Sequence, residues 1–397
     1  MSISVKDQEI YAKAVDLVRN ARGKLEVVGK VGAGNMEELS IAYTPGIAEP
    51  TRQVRDNHAL QFEYTSRASM LAVVTDGTAV LGLGNVGPEA AMVVMEGKGV
   101  MLKHYAQADP VPICLNTTDQ DEIIRVVKAI EPSFGFIFLE DIAAPRCFYI
   151  EERLSEELSI PVFHDDQHGT AIAVCAGVGN AMRMAGEKLA DKRIVINGAG
   201  ASALATAKLL MELGAEDIVV CDTKGALHAS RNDLNEYKAA VAAKTNRRGV
   251  RNLAEALAGA DIFIGLSVGN VVSPDMVRSM NKEPVIFACA NPDPEILPPD
   301  AKAAGARFAG TGRFDFPNAV NNLLAFPGIV RGTMDAGARK ITLNMKLAAV
   351  RAIAAYVTDE QIHEDYILPN ALDPGLAASV AKHVAEAARA DGVARKM

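Results

Sequence analysis

RIVINGAGASALATAKLLMELGAEDIVVCD, Arg193–Asp222, is the stretch whose reading decides the fold. Ile194 to Asn197 is a β-branched apolar run of strand type, Gly198, Ala199 and Gly200 break it, and Ala201 to Leu213 has the Ala/Leu composition of a helix. A second strand, Ile218 to Cys221, ends in Asp222 about 20 residues beyond the glycines. A dinucleotide site needs this order: the glycines and the helix N-terminus let backbone N–H groups approach a pyrophosphate, and the carboxylate accepts from ribose hydroxyls. Gly198, Gly200, Ala201, Ser202, Ala203 and Asp222 are therefore candidate cofactor contacts, the alternative being a tight strand-to-helix turn without a ligand. Asp222 disfavours the extra phosphate of NADP, whereas Lys224 and Arg231 nearby could neutralise one. The expectation leans to NAD and leaves NADP open.

Working outward, DIFIGLS (261–267), PVIFACANP (284–292) and ARFAGT (306–311) continue the strand series on the C-terminal side. On the N-terminal side, SMLAVVT (69–75), a short strand AVLGLG (79–84), a helix from Pro88 to Tyr105, PVPICLN (110–116), a helix over 119–130, FGFIFLED (134–141), a helix over 145–157 and IPVFHDD (160–166) form a second alternating set. A long Ala/Gly-rich helix over 169–186 joins the two. The fold class is α/β: an N-terminal α/β catalytic domain, residues 1–162, and a Rossmann-type doubly wound dinucleotide-binding domain, residues 163–397, ending in a helical tail from Ala336. A second glycine pattern, Gly82-Leu83-Gly84-Asn85-Val86-Gly87, is followed by a strand ending in Asn116 rather than an acid, so it turns the chain or serves a different anion.

The 397 residues are 49% hydrophobic and 23% charged, enough for more than one core. A net charge of -8, with 41 basic against 49 acidic residues and no long basic block, gives no electrostatic reason to bind nucleic acid or anionic membrane. The five cysteines are dispersed and form no C-x-x-C pair, and the amphipathic N-terminal helix expected over 6–20 has no apolar signal region. No segment has the roughly 18 uninterrupted apolar residues of a membrane helix. A cytoplasmic location is expected.

Glu140 and Asp141 end one expected strand, and Asp165 and Asp166 end another. Ligand sites of parallel sheets form at such ends, and converging carboxylates repel unless protons or a cation compensate. Oxygen ligands suit Mg²⁺ or Mn²⁺. Helix capping and solvent exposure are the competing readings, and His164 and His168 lack the spacing that would indicate zinc. Lys98 is bracketed by Gly97 and Gly99 in an apolar helix; two glycines there cost about 1 kcal/mol each, which points to close approach of another segment. It reads as a partly buried base or as a surface lysine. Tyr43 precedes a Pro-Gly turn and reads as an acid or as a packed aromatic, while Asn291 and the Asn321-Asn322 pair could orient a carboxylate or shape turns.

YTPGIAEP (43–50), TDGTAVLGLGNVGPEAAMVVMEGKG (75–99), FLEDIAAPRCFYIEERL (138–154), PVFHDDQHGTAIAV (161–174), INGAGASA (196–203), FACANPDPE (287–295) and NNLLAFPG (321–328) occur in an order that resembles the malic enzymes, in their shorter bacterial type. The resemblance implies oxidative decarboxylation of L-malate to pyruvate and CO₂ with NAD or NADP and Mg²⁺ or Mn²⁺. It makes Glu140, Asp141 and Asp166 the metal ligands with Asp165 supporting them, Tyr43 the general acid, Lys98 the general base, and Asn291 and Asn322 substrate contacts, with Asn291 a cofactor contact as well. A homo-oligomer, a dimer in first place, is expected. In the larger animal enzymes an arginine follows the TDG turn, whereas Thr78-Ala79-Val80 stand here and no arginine lies between Asp76 and Lys98. The group that holds malate's carboxylate is thus left unassigned. Oxaloacetate decarboxylation or malate-to-lactate conversion on the same site, and a dinucleotide sensor without turnover, are the alternatives.

Overall fold

The computed structural model describes residues 5–395. Among these residues, ten short strands form two sheets. β1 (Met70–Thr75), β2 (Asp109–Cys114), β3 (Phe136–Leu139) and β4 (Val162–His164) make the first, in the order β2-β1-β3-β4, all parallel. β5 (Arg193–Asn197), β6 (Asp217–Asp222), β7 (Gly225–Ala226), β8 (Ile262–Gly265), β9 (Val285–Ala288) and β10 (Phe308–Thr311) make the second, in the order β10-β9-β8-β5-β6-β7. Counted from β5, this is the doubly wound order 3-2-1-4-5-6, with only the two-residue β7 antiparallel. Each sheet has one point where the chain order reverses, between β1 and β3 in the first and between β5 and β8 in the second, and ligand crevices open at the carboxyl ends there.

The helices are α1 (Val5–Ala21), α2 (Met36–Ala42), α3 (Ala48–Asp56), α4 (Gln61–Tyr64), α5 (Pro88–Ala106), α6 (Gln120–Ile130), α7 (Arg146–Glu157), α8 (Asp165–Ala185), α9 (Ala201–Glu212), α10 (Glu236–Ala242), α11 (Leu253–Leu257), α12 (Pro274–Arg278), α13 (Pro298–Ala303), α14 (Phe326–Asp335), α15 (Leu343–Tyr356) and α16 (Pro374–Ala390). α8, 21 residues long and buried along most of its length, starts at the first sheet and packs on α9 and α15 beside the second. Its small residues permit that: Ala171, Ala173, Ala176 and Ala181 are all buried. One hydrophobic core therefore runs from the first sheet along α8 to one face of the second, and a smaller cluster fills that sheet's other face. α16 of the C-terminal tail packs on α14, which precedes the tail, and both contact α5.

Two expectations differ from the structure. AVLGLG does not form a strand: Leu81 and Gly84 adopt φ of 47° and 74°, and the segment closes into a tight turn with one bridge, Val80 to Gly84. The alternating apolar pattern mimics a strand, but the glycines supply a turn. The helix expected to begin at residue 169 starts at Asp165, so Asp165 and Asp166 sit in its first turn, where the helix dipole favours negative charge.

Candidate active site

The two crevices merge in one cleft of about 660 Å³. Lys98, Glu140, Asp141, Asp166 and Thr170 line its first wall, Ser202, Leu266, Ser267 and Asn291 the facing one, and Asn321, Asn322 and Phe326 its floor.

On the first wall, β3 and α8 bring the carboxylates together. Glu140, Asp141 and Asp166 each place an oxygen within 4.8 Å of the others. Asp141 has φ of 55°, which lets its carbonyl accept from Ala79 N–H at 2.9 Å and its own N–H donate to Asp166 Oδ2 at 2.8 Å. Buried Glu140 Oε2 and Asp141 Oδ2 have no hydrogen-bond partner, as expected of oxygens that face a cation. Burial, with Asp166 beside it, pushes Asp141 up to about 7, and burial likewise raises Glu140. Asp166 is half-buried; burial pushes it up, yet His164, whose Nε2 lies 3.1 Å from Asp166 Oδ2, holds it below the ordinary carboxylate value. These oxygens can hold a hard divalent cation.

Asp165 is fully buried and turns away from the cluster to Lys98, with Oδ2 2.8 Å from Nζ; Glu140 Oε1 lies 3.0 Å from the same ammonium. Burial opposes the charge, but the two carboxylates outweigh it and hold the Lys98 proton more tightly than usual. The ammonium also sits over the Phe326 ring, 4.5 Å from its centroid. Asp165 can approach only because residue 169 is glycine: a Cβ there would stand 1.9 Å from Asp165 Oδ1. The glycines beside Lys98 admit residues 24 and 25. A Cβ on Gly99 would meet Leu25 Cδ1 at 2.6 Å, and one on Gly97 would meet Lys24 Nζ at 3.4 Å.

On the facing wall, Gly198 has φ of 122°, and a Cβ there would lie 2.3 Å from Leu266 O, so only glycine fits where β5 and β8 part. Gly200 is the N-cap of α9 with open space around its Cα, and Ala201 and Ser202 form the first turn, leaving N–H groups to face an anion. Ala203 is wholly buried and packs the helix onto the sheet. Asp222 accepts from Arg231 Nη1 and Nη2 at 2.8 and 3.1 Å and from Lys238 Nζ at 2.9 Å, which holds it down at about 2 despite burial. Lys224 gives Asp222 its backbone N–H and pairs its ammonium with Asp233 instead.

Asn291 and Asn322 both line the cleft; Asn321 is spent on capping, accepting from Leu323 N–H and donating to Gly312 O. Tyr43 is placed elsewhere. It terminates α2, is 63% exposed and is not among the residues that line the cleft. His164 and His168 form no zinc set: His168 pairs with Glu151, whose carboxylate also accepts from Gln167 and from the His164 N–H, bracing the start of α8. Sequence reasoning missed Lys238, Lys24 and Arg146, which donates to Asp76 Oδ2 at 2.8 Å and locks the TDG turn. All three act across gaps in the chain that local patterns do not span.

A family model described as "Malic enzyme, NAD binding domain" matches residues 167–389, and one described as "Malic enzyme, N-terminal domain" matches 22–121 and 116–155. The chain is 52% identical over 385 residues to the bifunctional malic/malolactic enzyme of Bacillus subtilis (strain 168), covering 96% of this chain and 94% of that one. It is 46% identical to the NAD-dependent malic enzyme of Geobacillus stearothermophilus, covering 94% and 78%. The crystal structure of malic enzyme from Pyrococcus horikoshii OT3 superposes with a TM-score of 0.94 at 44% identity, covering 98% of this chain and 92% of that one. Further relatives are NADP-dependent malic enzymes of which this chain spans about half the length.

Proposed function

The chain belongs to the malic enzyme family, and from that membership we propose that it converts L-malate to pyruvate and CO₂ with reduction of NAD or NADP. One observation carries the reading. The acidic cluster with Lys98 shares a single cleft with Ser202, in the first turn of the helix after the Gly198 loop, and with Leu266, Ser267 and Asn291 at the ends of the second sheet, so a hydroxyl-bearing carbon activated on one wall can deliver hydride to a nicotinamide held on the other.

Glu140, Asp141 and Asp166 are the residues that would hold Mg²⁺ or Mn²⁺. A cation there supplies a Lewis acid for the C2 oxygen and for the charge that develops as the C3–C4 bond breaks. Lys98 Nζ accepts the proton of the C2 hydroxyl as hydride departs. Lys98 must be the neutral amine to accept that proton, so it must first release the one that Asp165 and Glu140 hold; withdrawal of Glu140 weakens that hold, while Asp165 stays 2.8 Å from Nζ. Asp165 keeps it aimed. Backbone N–H groups of the Gly198–Ser202 turn take the pyrophosphate, Asp222 the ribose, and the amides of Asn291 and Asn322 the substrate's oxygens.

Tyr43 is the acid that returns a proton to C3, and we assign it to the cleft of a second copy. Between residues 8 and 66 no side chain is buried, although Ile10, Val15, Leu17, Val27, Val28 and Val31 are all large and apolar. An arm of that composition is built to be covered, and a homodimer covers it. We place the domain boundary at 162/163, and the five unpaired cysteines fit a reducing, cytoplasmic setting. No described helix is long and apolar enough to cross a membrane.

The test is product stoichiometry with malate, Mn²⁺ and either dinucleotide. One pyruvate per reduced dinucleotide is expected. Lactate without net reduction would instead favour malate-to-lactate conversion, an activity named for the Bacillus subtilis relative. Failure of a folded, metal-loaded sample to consume malate would overturn both.

A further inference from the structure

Malate brings two negative charges into the cleft, and Thr78-Ala79-Val80 follow the TDG turn here where the larger animal enzymes have an arginine. Arg146, the arginine nearest the TDG turn, is committed to Asp76 and lies outside the lining. Among the described residues that line the cleft, only Lys24 and Lys98 are cationic, and the Lys98 charge is matched by Asp165 and Glu140. Lys24 is different. It is half-buried, its ammonium donates to the neutral Val93 carbonyl at 2.9 Å, and it makes no salt bridge among the described residues. Its backbone N–H is fixed by Glu96 Oε2 at 3.1 Å, so the residue is held over α5 independently of its own charge. The absence of a side chain at Gly97 gives the ammonium its place one residue from Lys98.

We propose that Lys24 is the substrate-anchoring cation and holds the C1 carboxylate of malate, the one retained in pyruvate. The inference rests on the malic enzyme reading and adds the residue that the sequence left unassigned. The choice between carboxylates follows from the chemistry. The C4 carboxylate loses its negative charge as the C3–C4 electron pair stays on carbon and CO₂ leaves. A cation bound to it would stabilise the ground state more than the transition state and slow the step. A cation on C1 keeps its interaction throughout, so it contributes uniform binding: it lowers KM and leaves kcat largely alone.

The experiment compares wild type, Lys24→Met and Lys24→Arg. Lys24→Met keeps the apolar stem and the backbone anchor while removing the charge. Loss of one charge-assisted hydrogen bond should raise KM for malate about 10- to 100-fold with little change in kcat. The inhibition constant of pyruvate, which carries only the C1 carboxylate, should rise by a similar factor. Lys24→Arg should recover most of both. An unchanged KM in Lys24→Met, or an arginine variant no better than methionine, overturns the inference while wild-type turnover leaves the functional reading intact. A raised malate KM with an unchanged pyruvate constant overturns the C1 assignment. Absence of wild-type turnover would strike the functional reading itself, and Lys24 would lose its substrate with it.

Discussion

Asp141 shows how much the acidic cluster asks of single residues. A left-handed backbone at a non-glycine position costs about 1–2 kcal/mol, and it is tolerated because it aligns both the Asp141 amide and its carboxylate with Asp166. Folding then buries Asp141 and Glu140 against like charges, which raises both. A carboxyl whose folded value, about 7 for Asp141, stands above its unfolded one destabilises the fold increasingly as pH rises between the two values, and by a constant amount above them. The melting temperature of chelated protein should therefore fall between about pH 4 and 7, and Mn²⁺ should raise it more at pH 7.5 than at pH 5. Thermal scans at both pH values check this; equal Mn²⁺ shifts would contradict it. Asp166 works in the opposite sense, being held low by His164, so its contribution is lost only on acidification.

At the scale of elements, what was legible was local. The β5-α9-β6 unit could be read because its glycines, helix and terminal acid lie within one continuous stretch, and its strand order follows from the alternation on either side. Gly198→Ala should weaken dinucleotide binding about fivefold or more, through strain of about 1 kcal/mol or more at a positive φ, while metal binding is retained; calorimetric titration separates the two. The acidic strand ends were legible as a group. The resemblance set Asp165 apart from the other three, but its pairing with Lys98 depends on the early start of α8 and on the space at Gly169, which only packing reveals. Gly169→Ala should destabilise the protein by about 1–3 kcal/mol through overpacking and depress turnover more than KM, because it displaces the residue that aims the base. Denaturant melts and steady-state kinetics test both parts.

At the scale of the whole molecule, the main core spans both sheets, while residues 8–66 contribute no buried side chain, Tyr43 among them. No local signal in YTPGIAEP distinguishes an acid that serves its own cleft from one that serves a neighbour's. If Tyr43 crosses between copies, Tyr43→Phe and Lys98→Ala variants, each nearly inactive alone, should regain about a quarter of the wild-type rate when subunits are mixed and exchanged, since half the molecules would be mixed dimers with one intact site. No recovery after verified exchange would return Tyr43 to its own chain. In the function we propose, the Glu140, Asp141 and Asp166 oxygens hold the cation that makes malate react. Titrating Mn²⁺ into chelated wild type and Asp166→Asn while following malate-dependent dinucleotide reduction tests it directly. The wild type should go from silent to active, whereas Asp166→Asn should stay inactive at Mn²⁺ concentrations at least about 100-fold higher and still bind the dinucleotide. Wild-type metal dependence and rate in Asp166→Asn would contradict the account.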